Sequence, residues 1–305
     1  MSAPPTELAL EPSPLVRLAL PALLAGGILI GLSGIWVRLS ETGPIATGFY
    51  RLAVSVPVFW AVLLLFPART DPAAPKATWR EYMLLVWAGV FFTGDLATWH
   101  WGLMLTSVTN ATLLANFVPI FVTLAAWLMF RQKPTRIFLV GLATTMIGAV
   151  ILVGQGLSMR AETLPGDGLS LVTAMFYAAY LLTVARARAY FSTAMIMAWT
   201  AFVGSILLLP MAIFSGETVV PLTWFGWTIA IVIGLGSQVA GQGLIAFAVA
   251  HVPATFSAVA LLVQPIAAAV FAWLILGEAI GINQYVGGVI ILIGIVIARR
   301  GSQVS

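Results

Sequence analysis

Long hydrophobic runs alternate along the whole chain with short polar stretches. Ten of these runs are roughly 20 residues long, the length at which a helix crosses the hydrocarbon core of a bilayer. They cover residues 16–37, 44–66, 83–105, 108–130, 135–153, 167–186, 192–214, 226–249, 254–276 and 280–298. The pattern predicts an all-α integral membrane protein with ten transmembrane helices, called spans 1 to 10 below.

The composition excludes a soluble globular protein. Hydrophobic residues make up 61% of the chain and charged residues only 8%, whereas about a quarter of a soluble domain is charged. The net charge of +4 does not indicate a nucleic-acid partner, because a basic excess in a membrane protein usually reflects its cytoplasmic loops. The chain has no cysteine, which excludes disulfides and thiolate metal sites. We expect no metal and no cofactor.

Basic residues are distributed unevenly between the two sets of segments that alternate across the membrane. One set holds Arg17, Arg69, Lys76, Arg80, Arg131, Lys133, Arg136, Arg186, Arg188, Arg299 and Arg300, and the other holds Arg38 and Arg160. Because basic loops stay in the cytoplasm, this distribution predicts that both termini are cytoplasmic. Residues 1–15 and 299–305 are then cytoplasmic tails, and residues 154–166 form a periplasmic linker.

An internal repeat divides the chain into two copies of five spans, residues 16–153 and 167–298. At an offset of 146, residues 110–151 align with 256–297 and match at eleven of 42 positions. The matches are Pro119/Pro265, Ile120/Ile266, Ala126/Ala272, Trp127/Trp273, Leu128/Leu274, Val140/Val286, Gly141/Gly287, Ile147/Ile293, Gly148/Gly294, Val150/Val296 and Ile151/Ile297. Because five is odd, the second copy enters the membrane from the opposite side. Inverted repeats of this kind serve alternating access in secondary transporters.

Two sequence stretches carry a resemblance to a known family. FYRLAVS in span 2 and QPIAAAVFAWLILGE, which begins in span 9 and ends at Glu278, resemble EamA-type transporters of the drug/metabolite transporter superfamily. The resemblance covers roughly residues 20–298 and implies that spans 5 and 10 lie outside a central cavity. The first copy departs from the pattern, since FRQKP follows span 4 where an acidic residue is expected, so a role of Glu278 need not be duplicated. The tryptophan-rich spans look most like bacterial inner-membrane amino-acid exporters of the YddG type.

Polar residues recur at helical spacing on several spans. The stripes are Ser170, Thr173, Tyr177 and Tyr180 on span 6, Thr109, Thr112, Asn116 and Thr123 on span 4, Gln238 and Gln242 on span 8, and, more weakly, Ser33 and Trp36 on span 1. Steps of three and four place each stripe on one helix face. We predict a central cavity enclosed by spans 1, 3, 4, 6, 8 and 9, although hydrogen bonds between helices would give individual Ser and Thr residues a purely structural role.

Span 3 carries two ionisable residues in the segment TGDLATWHWGLML. Charged groups inside a membrane usually face a protein interior or a water-filled cavity. Asp95 and His100 are five residues apart, which separates them by about 140° around the helix. We predict that Asp95 forms an ion pair with Arg51 of span 2, as a structural link or a proton site. His100, with Trp99 and Trp101 beside it, is predicted to face the cavity and to contact substrate or carry a proton, the alternative being a neutral packing residue.

Three functional classes compete for this sequence. GLSG at residues 31–34 matches a short serine-protease pattern with His100 as a candidate base, but proteolysis leaves the duplication unexplained, so we do not expect an enzyme. No phosphate-binding loop is visible in the sequence, which argues against a transporter driven directly by ATP. A secondary carrier remains. The predicted substrate is an aromatic or neutral amino acid, with a cationic aromatic drug as the alternative. The lipid bilayer is the other predicted partner, and the carrier is a monomer or a homodimer.

Overall fold

The computed structural model describes residues 14–66, 77–153 and 161–302, and all ten predicted spans are present in it as helices. Spans 1 to 5 run over Arg17–Leu39, Pro44–Leu65, Trp79–Leu105, Asn110–Phe130 and Arg136–Val153. Spans 6 to 10 run over Ala161–Ala187, Thr193–Phe214, Trp224–Ala248, Ala254–Leu276 and Ile282–Ser302. Residues 1–13 and 303–305 of the predicted tails and residues 154–160 of the predicted linker lie outside the described residues, whereas residues 299–302 continue the helix of span 10.

Spans 3, 5, 6, 7 and 10 are continuous α-helices, over Trp79–Leu105, Arg136–Val153, Leu164–Ala187, Thr193–Phe214 and Ile282–Ser302, with a short 3-10 turn at Ala161–Thr163 before span 6. The other five spans are interrupted. Span 1 consists of Pro14–Gly31 and Ser33–Leu39, and span 2 of Pro44–Ala53 and Ser55–Leu65. Irregular backbone at membrane depth needs protein or a cavity around it, so the interrupted segments are not exposed to lipid.

Spans 4 and 9 break at equivalent positions. Span 4 consists of Val108–Ala115 and Val118–Phe130, and span 9 of Ala254–Ala260 and Val263–Leu276. Pro119 and Pro265 follow the two breaks, and a proline has no N–H to donate to the carbonyl one turn earlier. Each proline therefore ends the α-helical hydrogen bonding of its span one turn earlier.

Span 8 contains a ten-residue π-helix, Ile233–Gln242, between the α-helical segments Trp224–Val232 and Gly243–Ala248. Its sequence, IGLGSQVAGQ, is rich in small residues. Small residues let neighbouring backbones come close: a Cβ at Gly26 of span 1 would lie 2.7 Å from the carbonyl oxygen of Gly241. π-helical turns are uncommon and often occur at functional sites, and both glutamines of the predicted span 8 stripe lie in this one.

Spans 5 and 10 pack against each other through glycine. A Cβ at Gly148 would lie 2.7 Å from the backbone nitrogen of Ile291 and 2.9 Å from the carbonyl oxygen of Gly287. The two backbones are therefore in direct contact. Elsewhere span 3 packs along span 6, span 7 lies against spans 2 and 3, and span 1 lies against spans 8 and 9.

Two acidic loop residues link the copies. Glu217 accepts hydrogen bonds from the backbone nitrogens of Ile45 (3.0 Å) and Ala46 (3.2 Å) at the start of span 2. Glu41 accepts a hydrogen bond from the backbone nitrogen of Thr223 (3.0 Å) just before span 8. The hydrogen bonds from the Thr223 side chain and backbone lower the pKa of Glu41, because they favour its charged form.

The two sides of the bundle differ in charge. We call the side that carries Arg38 and Glu278 the Arg38 end, and the opposite side, which carries Lys133 and Arg186, the Lys133 end. At the Arg38 end, Arg38 Nη1 donates to Glu278 Oε1 at 2.9 Å, which joins the ends of spans 1 and 9.

Candidate functional site

A cavity of about 370 Å³ lies between the two copies. Its described lining residues come from spans 1, 2, 3, 4, 6, 8 and 9, and none of them comes from span 5 or 10. The predicted ring of helices is thus present, with span 2 added through Arg51. Arg38 also lines the cavity and is half exposed, so the cavity reaches solvent at the Arg38 end. Its volume lies within the usual range of small-molecule sites.

Six residues predicted for the site line this cavity: Arg51, Asp95, Trp99, Asn116, Tyr177 and Gln242. Five do not: Trp36, His100, Trp101, Tyr180 and Gln238. Much of the remaining wall is apolar and includes Phe92, Leu96 and Leu103 of span 3. The cavity therefore combines a few polar groups with aromatic and aliphatic surface, as small-molecule sites commonly do.

His100 lies outside the cavity, which corrects the prediction that it faces it. Its side chain is 2% exposed, and a Cβ at Gly48 of span 2 would lie 3.3 Å from its ring carbon Cε1. Asp95 lines the cavity, and the five-residue step turns His100 toward the opposite side of span 3. The carbonyl of Leu96 interacts with the ring, but neither ring nitrogen makes a hydrogen bond of normal geometry to a described residue. The structure places His100 in the packing between spans 2 and 3.

Arg51 and Asp95 do not form the predicted ion pair. Both line the cavity, but no Arg51 nitrogen lies within 4.0 Å of an Asp95 carboxylate oxygen among the described residues. Arg51 Nε instead donates to Oε1 of Gln238 at 3.1 Å, and its guanidinium carbon lies 5.4 Å from the centre of the Phe92 ring. Gln238 and Asp95 thus compete for Arg51. The sequence could not reveal this, because Gln238 belongs to the other copy.

Gln238 and Tyr180 lie behind the cavity wall. Gln238 is fully buried and supports Arg51. Tyr180 is 1% exposed, its hydroxyl donates to the sulfur of Met197 at 3.7 Å, and its ring lies 4.8 Å from that of Phe92. Both residues therefore position side chains that face the cavity, which corrects their predicted place in its lining.

Two of the predicted tryptophans also lie elsewhere. Trp101 is 38% exposed and Trp36 is partly buried, and neither lines the cavity. Trp99 does line it, and its ring lies 5.0 Å from that of His100. Side chains two residues apart on a helix point in widely different directions. Trp99 and Trp101 therefore cannot line the same wall.

Hydrogen bonds between spans hold the polar part of the wall. Gln242 Nε2 donates to the Tyr177 hydroxyl at 3.4 Å, which connects spans 8 and 6. The hydroxyls of Thr98 and Thr173 lie 2.8 Å apart and connect spans 3 and 6. Of the span 6 stripe, Thr173 and Tyr177 line the cavity, so the stripe serves both helix packing and the cavity.

Gln264 is a polar cavity residue that the sequence reasoning missed. It directly precedes Pro265 in the interrupted part of span 9. A glutamine beside a helix break in a membrane span is a usable signal, because polar residues at such breaks tend to line binding sites. Gln264 is also the first residue of the family-like pattern QPIAAAVFAWLILGE.

The serine of the GLSG segment takes part in a contact between spans. Ser33 Oγ donates to Ser237 Oγ at 2.9 Å, which connects spans 1 and 8. His100 packs against span 2 instead, so within the described residues Ser33 has no histidine base of the kind that a serine nucleophile requires.

A second depression of about 770 Å³ lies at the Lys133 end, and we call it the cleft. Its lining residues include Thr123 and Phe130 of span 4, Leu182 and Arg186 of span 6, Val249, and Ala254 and Thr255 of span 9. Two of the lining residues, Lys133 and Arg186, are basic, and none of the described lining residues is acidic.

Comparison with known proteins gives a consistent result. An uncharacterized transporter of Archaeoglobus fulgidus is 26% identical over 91% of this chain and 94% of the relative. The uncharacterized transporter YoaV of Bacillus subtilis is 24% identical over 85% and 88%, respectively. A solved structure titled "Crystal structure of protein" has a TM-score of 0.81 at 15% identity, covers 94% of this chain and 98% of its own, and supports the fold alone. The model of the EamA-like transporter family matches residues 17–154 and 164–300, so this chain belongs to the EamA-like transporter family.

Proposed function

We propose that this protein is a secondary carrier that exports amino acids with aromatic or neutral side chains across the bacterial inner membrane. One observation carries the proposal: the cavity between the copies brings charged and amide groups together against an aromatic and aliphatic wall. Arg51, Gln242 and Gln264 offer donors for a carboxylate, and Asp95 and Asn116 offer acceptors for an ammonium group. Phe92 and Trp99 offer apolar surface for a side chain.

The distribution of basic residues supports one orientation of the carrier in the membrane. With both termini in the cytoplasm, the Arg38 end is periplasmic and the cavity opens to the periplasm. The cleft then lies on the cytoplasmic side, where substrate would enter when the carrier is open to the cytoplasm. The cleft is lined by the end of span 4 and the start of span 9. These segments are equivalent to the parts of spans 9 and 4 that line the cavity, with the two copies exchanged. That correspondence supports alternating access by two inverted repeats.

A cationic aromatic drug is the second candidate. Asp95 and the rings of Trp99 and Tyr177 could hold an organic cation through charge and cation–π attraction. Arg51 in the same wall opposes it, because a like charge in a cavity of low polarity is unfavourable. We therefore place this candidate behind amino acids.

Transport by the purified protein in proteoliposomes tests the proposal. We expect saturable uptake of labelled aromatic or neutral amino acids, measured with and without a pH gradient, and weaker or no uptake of organic cations. Gly34→Trp should block it, because Gly34 lines the cavity and a Cβ there has no atom within 4 Å. Gly168→Trp is the matched control, since Gly168 also has open space but lies outside the cavity lining. Uptake of cations alone would favour the second candidate, and amino-acid uptake that Gly34→Trp leaves intact would remove the cavity from the pathway.

A further inference from the structure

The cavity wall carries two opposite charges, Arg51 and Asp95, that attract each other but are not in direct contact. The terminal nitrogens of Arg51 make no hydrogen bond to a described residue and are not sealed from the cavity. The carboxylate of Asp95 likewise accepts no hydrogen bond from a described residue and is open to the cavity. Charged groups at membrane depth are costly unless they are paired or solvated, so a ligand that enters the cavity can pair with either group in place of water.

The two charges lie at different depths along span 3. The Arg51 guanidinium lies against Phe92, three residues before Asp95, and Trp99 follows Asp95 by four residues. At the rise of an α-helix these steps are about 4.5 Å and about 6 Å. Phe92, Asp95 and Trp99 share one face of the helix and all line the cavity. From the cavity floor toward the Arg38 end, the wall therefore presents a cation, an anion and an aromatic ring.

We propose that Arg51 and Asp95 form the binding site for a zwitterionic head group, with the carboxylate on Arg51 and the ammonium on Asp95. This inference rests on the proposed function and specifies the substrate as an α-amino acid. The substrate side chain points past Trp99 toward the mouth, where Leu103 and Ala272 continue the apolar wall. A ligand that carries both charges satisfies both residues at once, whereas a ligand with one charge leaves the other residue uncompensated.

Gln238 has a positioning role in this site. Its Oε1 accepts the hydrogen bond from Arg51 Nε and so leaves the two terminal nitrogens of the guanidinium fork for the ligand. Bidentate contact between this fork and a carboxylate is stronger and more directional than a contact with a lysine ammonium.

Three ligands that share an indole ring separate the two charges: tryptophan, its decarboxylated amine tryptamine, and its deaminated analogue indole-3-propionate. Binding to the purified protein is measured for the parent, Arg51→Met and Asp95→Asn. We expect Arg51→Met to weaken tryptophan by about 10- to 100-fold and to leave tryptamine unchanged or tighter. Asp95→Asn should weaken tryptophan and tryptamine by a similar factor and leave indole-3-propionate unchanged or tighter. Arg51→Lys should restore part of the affinity for tryptophan.

Arg136→Met provides the matched control, because it removes an exposed arginine outside the cavity lining and should leave all three affinities within about twofold of the parent values, the usual size of a surface effect. If either cavity variant fails to fold, the parent alone still decides the matter. At equal concentration, tryptophan should raise its melting temperature more than tryptamine or indole-3-propionate does, since only ligand that binds the folded state stabilises it.

The outcomes separate this inference from the proposed function. If the parent binds amino acids but both variants weaken all three ligands equally, or if tryptamine stabilises the parent as well as tryptophan does, the head-group assignment is wrong and amino-acid transport stands. If a panel of amino acids neither binds nor is transported, the proposed function is wrong and the head-group assignment with it.

Discussion

The backbones of spans 4 and 9 follow the same course, but the side chains that these spans present to the cavity and the cleft differ. Both are interrupted before a proline, and both end at a residue with left-handed backbone, Arg131 (φ 56°) and Gly277 (φ 70°), 146 positions apart. In both, the N–H of the following residue donates back to the equivalent alanine, Gln132 to Ala126 at 3.2 Å and Glu278 to Ala272 at 3.3 Å. The duplication has thus preserved the course of the chain in detail.

The side chains at equivalent positions differ in polarity. Asn116 corresponds to Leu262, Val118 to Gln264, and Gln132 to Glu278. The first four of these residues all line the cavity, so each copy supplies one amide where the other supplies an aliphatic group. Glu278 meets Arg38 at the mouth of the cavity, while Gln132 lies in the cleft beside Lys133. Packing and backbone hydrogen bonds constrain the fold of both copies, and a small number of exchanged side chains makes the two openings chemically different.

The largest effect is expected where the two copies share their backbone contact, in the glycine pair of spans 5 and 10. Gly148→Val should lower the free energy of unfolding by about 3 kcal/mol or prevent folding, because the new side chain would meet the backbone at Ile291 and Gly287. Thermal unfolding of the detergent-solubilised protein measures this effect. Gly168→Val is the control, since a Cβ at Gly168 meets no atom within 4 Å. Equal melting temperatures for the two variants would contradict direct backbone contact.

The next effect concerns the polar differences between spans 4 and 9. Gln264→Val and Asn116→Leu give each position the residue type of its equivalent in the other copy. Each should reduce amino-acid uptake by about tenfold, the size of one hydrogen bond to a charged group, without lowering the melting temperature. Thr228→Val is the control, because the Thr228 hydroxyl is exposed and donates to Trp224 within its own helix. Uptake at the parent rate in both variants would mean that the amides have no part in recognition.

An intermediate effect on stability is expected at Arg131 and Gly277, the left-handed residues that end spans 4 and 9. A residue other than glycine in the left-handed region costs roughly 1 to 2 kcal/mol, so Arg131→Gly should stabilise the protein by about 1 kcal/mol. Gly277→Ala should destabilise it by a similar amount. Chemical or thermal unfolding of both variants and the parent provides the measurement. If Arg131→Gly is no more stable than the parent, the Arg131 side chain must make a compensating contact.

The smallest effect is expected at the mouth of the cavity. Glu278→Gln makes the end of span 9 resemble the end of span 4 and removes the ion pair with Arg38, whose two side chains are about half exposed. Exposed pairs contribute about 0 to 1 kcal/mol, so the melting temperature should fall slightly at low salt and not at high salt. In Arg38→Gln the further change Glu278→Gln should add nothing. Additive losses would show that the two charges act independently.

The residues of span 3 show how far a single helix could be interpreted in advance. Helical geometry separates Asp95 from His100 and Trp99 from Trp101, and the structure does place the members of each pair on different sides. Which side faces the cavity was not fixed by that geometry, because both faces of span 3 contact protein: span 6 on one and spans 2 and 7 on another. The prediction that His100 faces the cavity was wrong. The local sequence around a histidine does not distinguish one that is packed between helices from one that lines a cavity.

The sequence by itself determined the ten spans, the two copies, the proline breaks in spans 4 and 9 and the glycine contact of spans 5 and 10. These features follow from run length, internal repetition, a missing N–H and a missing Cβ, which are properties of the local chain. Only the tertiary structure decided that Arg51 bonds Gln238 rather than Asp95, that Gln264 faces the cavity, and that Gln238 and Tyr180 stand behind its wall. Each of these outcomes depends on how helices of the two copies are rotated against one another, and that rotation is set by the packing of many side chains together rather than by any single stretch of sequence.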